Sequence, residues 1–277
     1  MSVCIASLNS GSNGNCYYIG SSEEAVLIDA GLSARETLLR MQHLGLDAGK
    51  LKAIFISHEH IDHVSGLEKL HEKLKIPVYI TAKTRRNCRL KLQSELVHSF
   101  VKNEIIQVGK LHITPFSKSH DANDPHSFVV SCHNLQVGVF TDIGYACEEV
   151  IHHFSKCDAA FLESNYCEKM LEEGNYPRFL KSRISGKNGH LSNQQALELF
   201  QLHRNSNVKL LLLSHLSKNN NSAETALELF KPHAGDVKIV VAGRDKATAL
   251  YTLQAQRSSV NDPSPLFKQP PQQLSMF

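Results

Sequence analysis

Three histidines and an aspartate stand within six positions, His58, His60, Asp62 and His63, in the stretch ISHEHIDHVSG. The apolar run LKAIFI precedes them, and a segment with helical spacing follows, apolar at Val64, Leu67, Leu70 and Leu74. A strand that ends in a loop fixes its alternate side chains. His58 and His60 can therefore face one site, while Asp62 and His63, at the start of the expected helix Val64–Leu74, reach a second. The spacing suits two metal ions, and neutral imidazoles with carboxylates suit Zn²⁺ or Mn²⁺.

The rest of the chain alternates short β-branched runs with helical patterns. VCIASL, CYYIG and AVLID read as strands, followed by a helix over Ser33–Leu44 with Ser33 as cap, Glu36 at the third helical position and Gly45 as stop. VYITA, EIIQVGKLHITPF, SFVVSCHNLQVGVFTD and AAFLES add strands, several in hairpins. Helices are expected at Asn165–Glu173, Ser192–His203 and Ser222–Phe230, with the buried-type strands VKLLLLS and VKIVVA after the last two. This order predicts an α/β domain of two mixed sheets packed face to face with helices outside, over residues 1–257. From Ser258 to Phe277 the Pro-rich tail lacks periodicity and reads as unstructured. With 277 residues, 42% hydrophobic and 21% charged, the chain has ordinary globular composition. No apolar run is long enough to span a bilayer, so no membrane association is expected. The net charge of +3 leaves attraction to polyanions to local patches. Seven cysteines without a C-x-x-C pair fit reduced thiols and a cytoplasmic protein.

Asp29 in LIDAG, the HEHIDH stretch, His120 in SKSHDANDP, Asp142 in VFTDIG and His215 in LLLSHLS occur in the order of the motifs of the metallo-β-lactamase superfamily, which residues 1–250 resemble. The resemblance implies an αββα four-layer sandwich and two divalent ions per chain. His58, His60 and His120 would bind one; Asp62, His63 and His215 would bind the other. Asp142 would bridge them, Asp29 would orient the histidine loop, and a water shared by the ions would be the nucleophile. His126, six residues beyond His120, competes with it as a ligand.

Glu163 in FLESN and His190 in GHLSN are similar to the paired motifs of RNase Z-like phosphodiesterases, where the histidine faces the scissile phosphate and the glutamate orients it. His190 and Glu163 are thus the expected acid pair, with Asp62 the third catalytic residue. LNSGSNGNCYYIG, ESNYCEKMLEEGNYP and LSHLSKNNN further resemble the YycJ (WalJ, VicX) subgroup, which implies a 5′-to-3′ DNA exonuclease linked to mismatch repair, acting on single-stranded or duplex ends. The insertion typical of RNase J-like enzymes is missing between Asp142 and His215, which implies an open cleft. DPHSF departs from the pattern, which usually has a glycine before the aromatic. Ser12, Asn13 and Asn15 are expected to line the cleft, and Lys181, Arg183 and Lys187 to contact substrate. A second basic run, KTRRNCRLK, puts Arg85 and Arg89 on one face if it is helical. The end QLSMF resembles the peptide by which bacterial repair proteins dock on the sliding clamp, through Gln273, Leu274, Met276 and Phe277. Rival readings are a small-molecule phosphodiester or ester hydrolase on the same metal site, and a non-enzymatic regulatory partner of a two-component system.

Overall fold

A computed structural model describes residues 2–255. Six strands open one sheet: β1 (Ser2–Asn9), β2 (Cys16–Gly20), β3 (Ala25–Ile28), β4 (Leu51–Phe55), β5 (Val78–Tyr79) and β6 (Val97–His98). A second sheet holds β7 (Ile106–Val108), β8 (Leu111–Ser117), β9 (His126–Cys132), β10 (Leu135–Phe140), β11 (Ala159–Glu163), β12 (Leu210–Ser214) and β13 (Lys238–Val241), and β14 (Tyr251–Gln254) returns to the first beside β1. Each sheet has an antiparallel part and a parallel part. β3 to β6 are parallel in the first sheet, and β10 to β13 in the second. The helices are α1 (Ala34–His43), α2 (Ile61–Val64), α3 (Leu67–Leu74), α4 (Ala82–Cys88), α5 (Glu148–Phe154), α6 (Glu168–Glu173), α7 (Arg178–Ser185), α8 (Asn193–His203) and α9 (Ala223–Phe230).

Burial explains the layering. Along β4, Ala53 and Phe55 enter the core between the sheets, while Leu51 and Ile54 pack outward with Met41 of α1 and Leu67 and Leu70 of α3. A strand covered on both faces reads as an unbroken apolar run, as LKAIF nearly does. The second sheet repeats the arrangement: Phe128 and Phe161 face the first sheet, and Leu211 and Leu213 face α8 and α9. The result is the expected four-layer sandwich.

Local chemistry fixes most boundaries. The Ser33 hydroxyl accepts from the Glu36 amide at the start of α1, and Ser192 and Gln195 form a reciprocal capping box on α8. His133 and Asn134, both left-handed, make the two-residue turn between β9 and β10. Two expected helices differ. The segment expected to be one helix over Val64–Leu74 breaks at Gly66, whose amide donates to the Ala30 carbonyl and where a methyl group would overlap the Leu32 carbonyl. The Asn165–Glu173 helix starts only at Glu168, because the Asn165 and Cys167 amides donate to Leu191 and Asn220 carbonyls. α5 and α7 match no helix expected from the sequence. The 258–277 tail, with the expected clamp-docking peptide at its end, lies outside the described residues.

Candidate metal centre

The parallel strands end along one rim of the sandwich, and the chemistry collects there. Asp29 follows β3, Ser57 and His58 follow β4, Asp142 follows β10, and His215 follows β12. Three of these, Asp29, Asp142 and His215, have φ of 61°, 54° and 56°. A left-handed backbone is unfavourable for a residue with a Cβ, typically by about 1–3 kcal/mol, and persists only where the surroundings impose it. They do: the Asp29 amide donates to the Phe55 carbonyl, the His215 amide to the Ser10 hydroxyl, and the Lys118 ammonium to the Thr141 carbonyl just before Asp142.

Two groups of donor atoms converge at this rim. In the first, His58 Nε2 lies 3.0 Å from His60 Nδ1, which lies 3.3 Å from His120 Nε2. Ligand nitrogens around a tetrahedral zinc are separated by about 3.4 Å. In the second, His63 Nε2 lies 3.4 Å from Asp62 Oδ2 and 3.1 Å from Asp142 Oδ2, and His215 Nε2 lies 3.5 Å from Asp62 Oδ2. Asp142 stands between the groups, with Oδ1 3.6 Å from His120 Nε2. Asp142 Oδ2 and His215 Nε2 are buried without a hydrogen-bond partner among the described residues. Buried polar atoms are rarely left so, and a cation among these atoms would satisfy them. The donor set, imidazole and carboxylate without thiolate, fits a divalent metal.

Behind the donors, a set of hydrogen bonds fixes each ring. Asp29 accepts from His63 Nδ1 at 2.7 Å and from the Ser57 amide and hydroxyl at 2.8 Å each, and Ser57 in turn holds His58 Nδ1 at 2.9 Å. One carboxylate thereby aims two rings, so that their Nε2 lone pairs face the centre. His120 Nδ1 is held by the Gly189 carbonyl. Glu163, fully buried, accepts from His190 Nδ1 at 2.8 Å and His215 Nδ1 at 2.9 Å on Oε1, and from the Ile143 and Leu191 amides on Oε2. His190 opens partly to solvent at the mouth of the cleft, 3.8 Å from Asp142 Oδ1.

The protonation tendencies of the protein alone follow from this crowding. Burial disfavours charge on His215, but Asp142, Asp62 and Glu163 override it and push its pKa up to about 10. His63 is raised well above its usual value against burial by Asp142, Asp29 and Asp62. Burial would raise Glu163, yet His190 and His215 bring it down to about 2. His120 is lowered to about 4, chiefly by burial.

The structure brings His58, His60, Asp62, His63, His120, Asp142, Glu163, His190 and His215 together. Of the two competing histidines it places His120 beside His58 and His60, whereas His126 binds the Asp124 carbonyl and packs against Phe100. Several expected substrate contacts differ. Ser12 lines the cleft, but Asn13 is turned to the Arg244 carbonyl, and Asn15 is buried, donating to Asp62 Oδ2 and lying 3.0 Å from His63 Nε2. Arg183 lines the cleft in an ion pair with Asp121 at 2.6 Å, whereas Lys181 binds the Glu172 carbonyl and Lys187 lies outside the cleft lining. In the other basic run α4 ends at Cys88 and Arg89 is left-handed, so Arg85 and Arg89 do not share a helix face, and Arg85 and Arg86 border a different cavity. Ser57, Asp121, Ser10 and Lys118 support the centre without any signal in sequence spacing.

The Beta-lactamase superfamily domain model matches residues 24–216, a span that contains every convergent donor. The chain is 31% identical over 229 residues to exodeoxyribonuclease YycJ of Bacillus anthracis, covering 82% of this chain and 87% of the relative. It is 32% identical over 224 residues to exodeoxyribonuclease WalJ of Streptococcus pneumoniae, covering 79% and 83%. Among solved structures it is similar to the metallo-beta-lactamase fold protein YhfI of Bacillus subtilis, with TM-score 0.68 and 16% identity over 90% of this chain and 99% of that one. The short form of human tRNase Z gives TM-score 0.62 and 15% identity, with the same coverage.

Proposed function

The chain belongs to the beta-lactamase superfamily, in the group of its YycJ and WalJ relatives, and from that premise we propose that it is a dinuclear metal phosphodiesterase degrading DNA from a 5′ end. It is a metal-dependent hydrolase; the finer reading concerns substrate and residues. The observation that carries it is Glu163, one buried carboxylate that holds both His215, beside the second donor group, and His190, at the cleft mouth. A hydrolase that only polarises its substrate has no need to tie a partly exposed histidine to the same carboxylate. A phosphodiester leaving an alkoxide needs a proton, and His190 stands where it can deliver one.

In this reading His58, His60 and His120 hold one ion, Asp62, His63 and His215 the other, and Asp142 lies between. Zinc or manganese there would supply an activated water and charge neutralisation for the phosphoryl oxygens. Asp29 keeps the His58 and His63 rings aimed, and Glu163 keeps the Nδ1 proton of His190 engaged so that Nε2 is the atom presented to the leaving oxygen. Arg183 at the rim faces the incoming phosphates. The relatives' names support DNA as substrate, and a role in mismatch repair, cytoplasmic location and a clamp-docking tail at Gln273–Phe277 belong to the same proposal.

The test is metal analysis together with end-labelled DNA and RNA. Two ions per chain, release of mononucleotides from 5′-ended DNA, and loss of both metal and hydrolysis in Asp142→Ala are expected. Unchanged turnover in the Asp142→Ala protein would sink the assignment.

A further inference from the structure

Helix α7 is unusual in this fold because it buries none of its side chains. An amphipathic helix of a globular domain normally contributes an apolar stripe to the core, and one that does not needs another reason to be ordered. Its inner face is a wall of the metal cleft: Leu180, Arg183 and Ile184 line it, with Tyr176 just before the helix. Its outer flank carries Phe179, which is 75% exposed. Phe179 and Arg183 are four residues apart and so adjacent along the helix, Phe179 on the flank beside the face from which Arg183 enters the cleft to pair with Asp121. Around them, residues 174–197 hold four cations, Arg178, Lys181, Arg183 and Lys187, and no acid at all. An exposed phenylalanine within an acid-free basic segment matches the pairing of stacking ring and phosphate-binding cation by which unpaired strands are held.

The size of the cleft gives a second, independent argument. Its cavity is about 260 Å³, below the roughly 300–1,000 Å³ of ordinary ligand sites. Such a space takes the scissile group and little more, so the remainder of a polymeric substrate must lie on the rim, and α7 forms one side of that rim. The helix is also linked to the acid: the His190 amide donates to the Ile184 carbonyl at 2.8 Å, and Gly189 closes onto Gly186 at 2.8 Å. A strand seated on α7 would therefore press on the segment that positions His190.

We propose that α7 is a platform for an unpaired polynucleotide strand, with Phe179 stacking on a base and Arg183 contacting the phosphate next to the cleft. This rests on the phosphodiesterase reading and narrows it: duplex ends must fray before they are cut. The experiment uses the full chain loaded with metal. Fluorescence anisotropy is measured with labelled phosphorothioate oligothymidylate, the same length of oligouridylate, and a blunt duplex, and turnover is measured with bis(p-nitrophenyl) phosphate. Phe179→Ala should weaken strand binding roughly 5- to 100-fold, the range for loss of one stacked base, and by more than any change in small-diester turnover. Phe179→Tyr should restore it. The two single strands separate a DNA platform from one indifferent to the sugar, and a stacking ring predicts that both respond to Phe179→Ala. Equal strand affinity in the wild type and Phe179→Ala, or a blunt duplex bound as tightly as the strand, overturns the platform. A wild type that binds strands through Phe179 but leaves the small diester intact would instead sink the phosphodiesterase reading.

Discussion

Replacing Glu163 by glutamine tests whether one carboxylate ties the proton donor to the metal ligands. The carboxylate accepts from four donors: the Nδ1 atoms of His190 and His215 on one oxygen, the amides of Ile143 and Leu191 on the other. Glutamine has one oxygen and an NH₂ group, so whichever way it turns, two N–H donors meet another donor. Each orphaned group costs about 1–3 kcal/mol, which puts the destabilisation of the metal-free protein at roughly 2–6 kcal/mol. His215 can escape by moving its proton to Nε2 and accepting from the new NH₂, but that proton then occupies the face meant for the metal. Metal affinity should accordingly fall roughly 10- to 100-fold, and turnover of an unactivated phosphodiester roughly 10²- to 10⁴-fold if His190 also loses its orientation. Chelator competition gives the affinity, denaturant unfolding with metal removed gives the stability, and saturating metal separates the loss in kcat. Wild-type metal affinity together with wild-type kcat in Glu163→Gln would refute the shared role of this carboxylate.

His190→Ala should lower kcat on DNA by roughly 10²–10⁴ while leaving metal content intact, and a p-nitrophenyl diester, whose leaving group needs no proton, should be much less affected. Equal slowing of both substrates would make His190 a positioning group. In the metal-free protein, pH acts through two shifts of opposite sign. His215 is raised from 6.5 to about 10, so its stabilisation is complete below pH 6.5 and is lost as pH rises through 10; Glu163 is lowered from 4.5 to about 2, so its contribution holds above pH 4.5 and is lost as pH falls through 2. Thermal melting in chelator should peak between these unfolded-state values, and metal binding should tighten with rising pH because protons must leave His63 and His215. A metal-free melting temperature that climbs steadily to pH 9 would contradict the sign for His215, and one that is unchanged or rises as pH falls from 4.5 toward 2 would contradict the sign for Glu163.

Some donor residues were legible because they sit just beyond an apolar strand, a rigid place that sequence reveals through hydrophobicity, and His60, Asp62 and His63 because of their close spacing after one. His58, Asp142 and His215 are of the first kind. What holds them was not legible. Ser57 beside His58 is any serine until the fold brings Asp29 against it, and Asn15, expected from the family resemblance to line the cleft, is buried among Gly11, Asp62 and His63. The break at Gly66 was hidden because helical periodicity continues through it, and the reason for the break lies more than thirty residues away, at Ala30 and Leu32. α7 escaped because it has no core-facing stripe to give it a period.

The left-handed conformations of Asp29, Asp142 and His215 bear on which ions the centre can discriminate. A donor carried on a flexible loop can back away to suit a larger guest, but one whose backbone is locked at the end of a sheet cannot. Nitrogens already 3.0 and 3.3 Å apart match short bonds near 2.0–2.1 Å. Calcium, which prefers six to eight oxygens at about 2.3–2.6 Å, would meet a donor set dominated by imidazole nitrogens and anchored at Asp142 and His215, with Asp29 fixing the His58 and His63 rings from behind, and magnesium would find too few oxygens to replace its waters. Stiffness at Asp142 and His215 would act as a size filter, disfavouring the abundant hard cations of a cell.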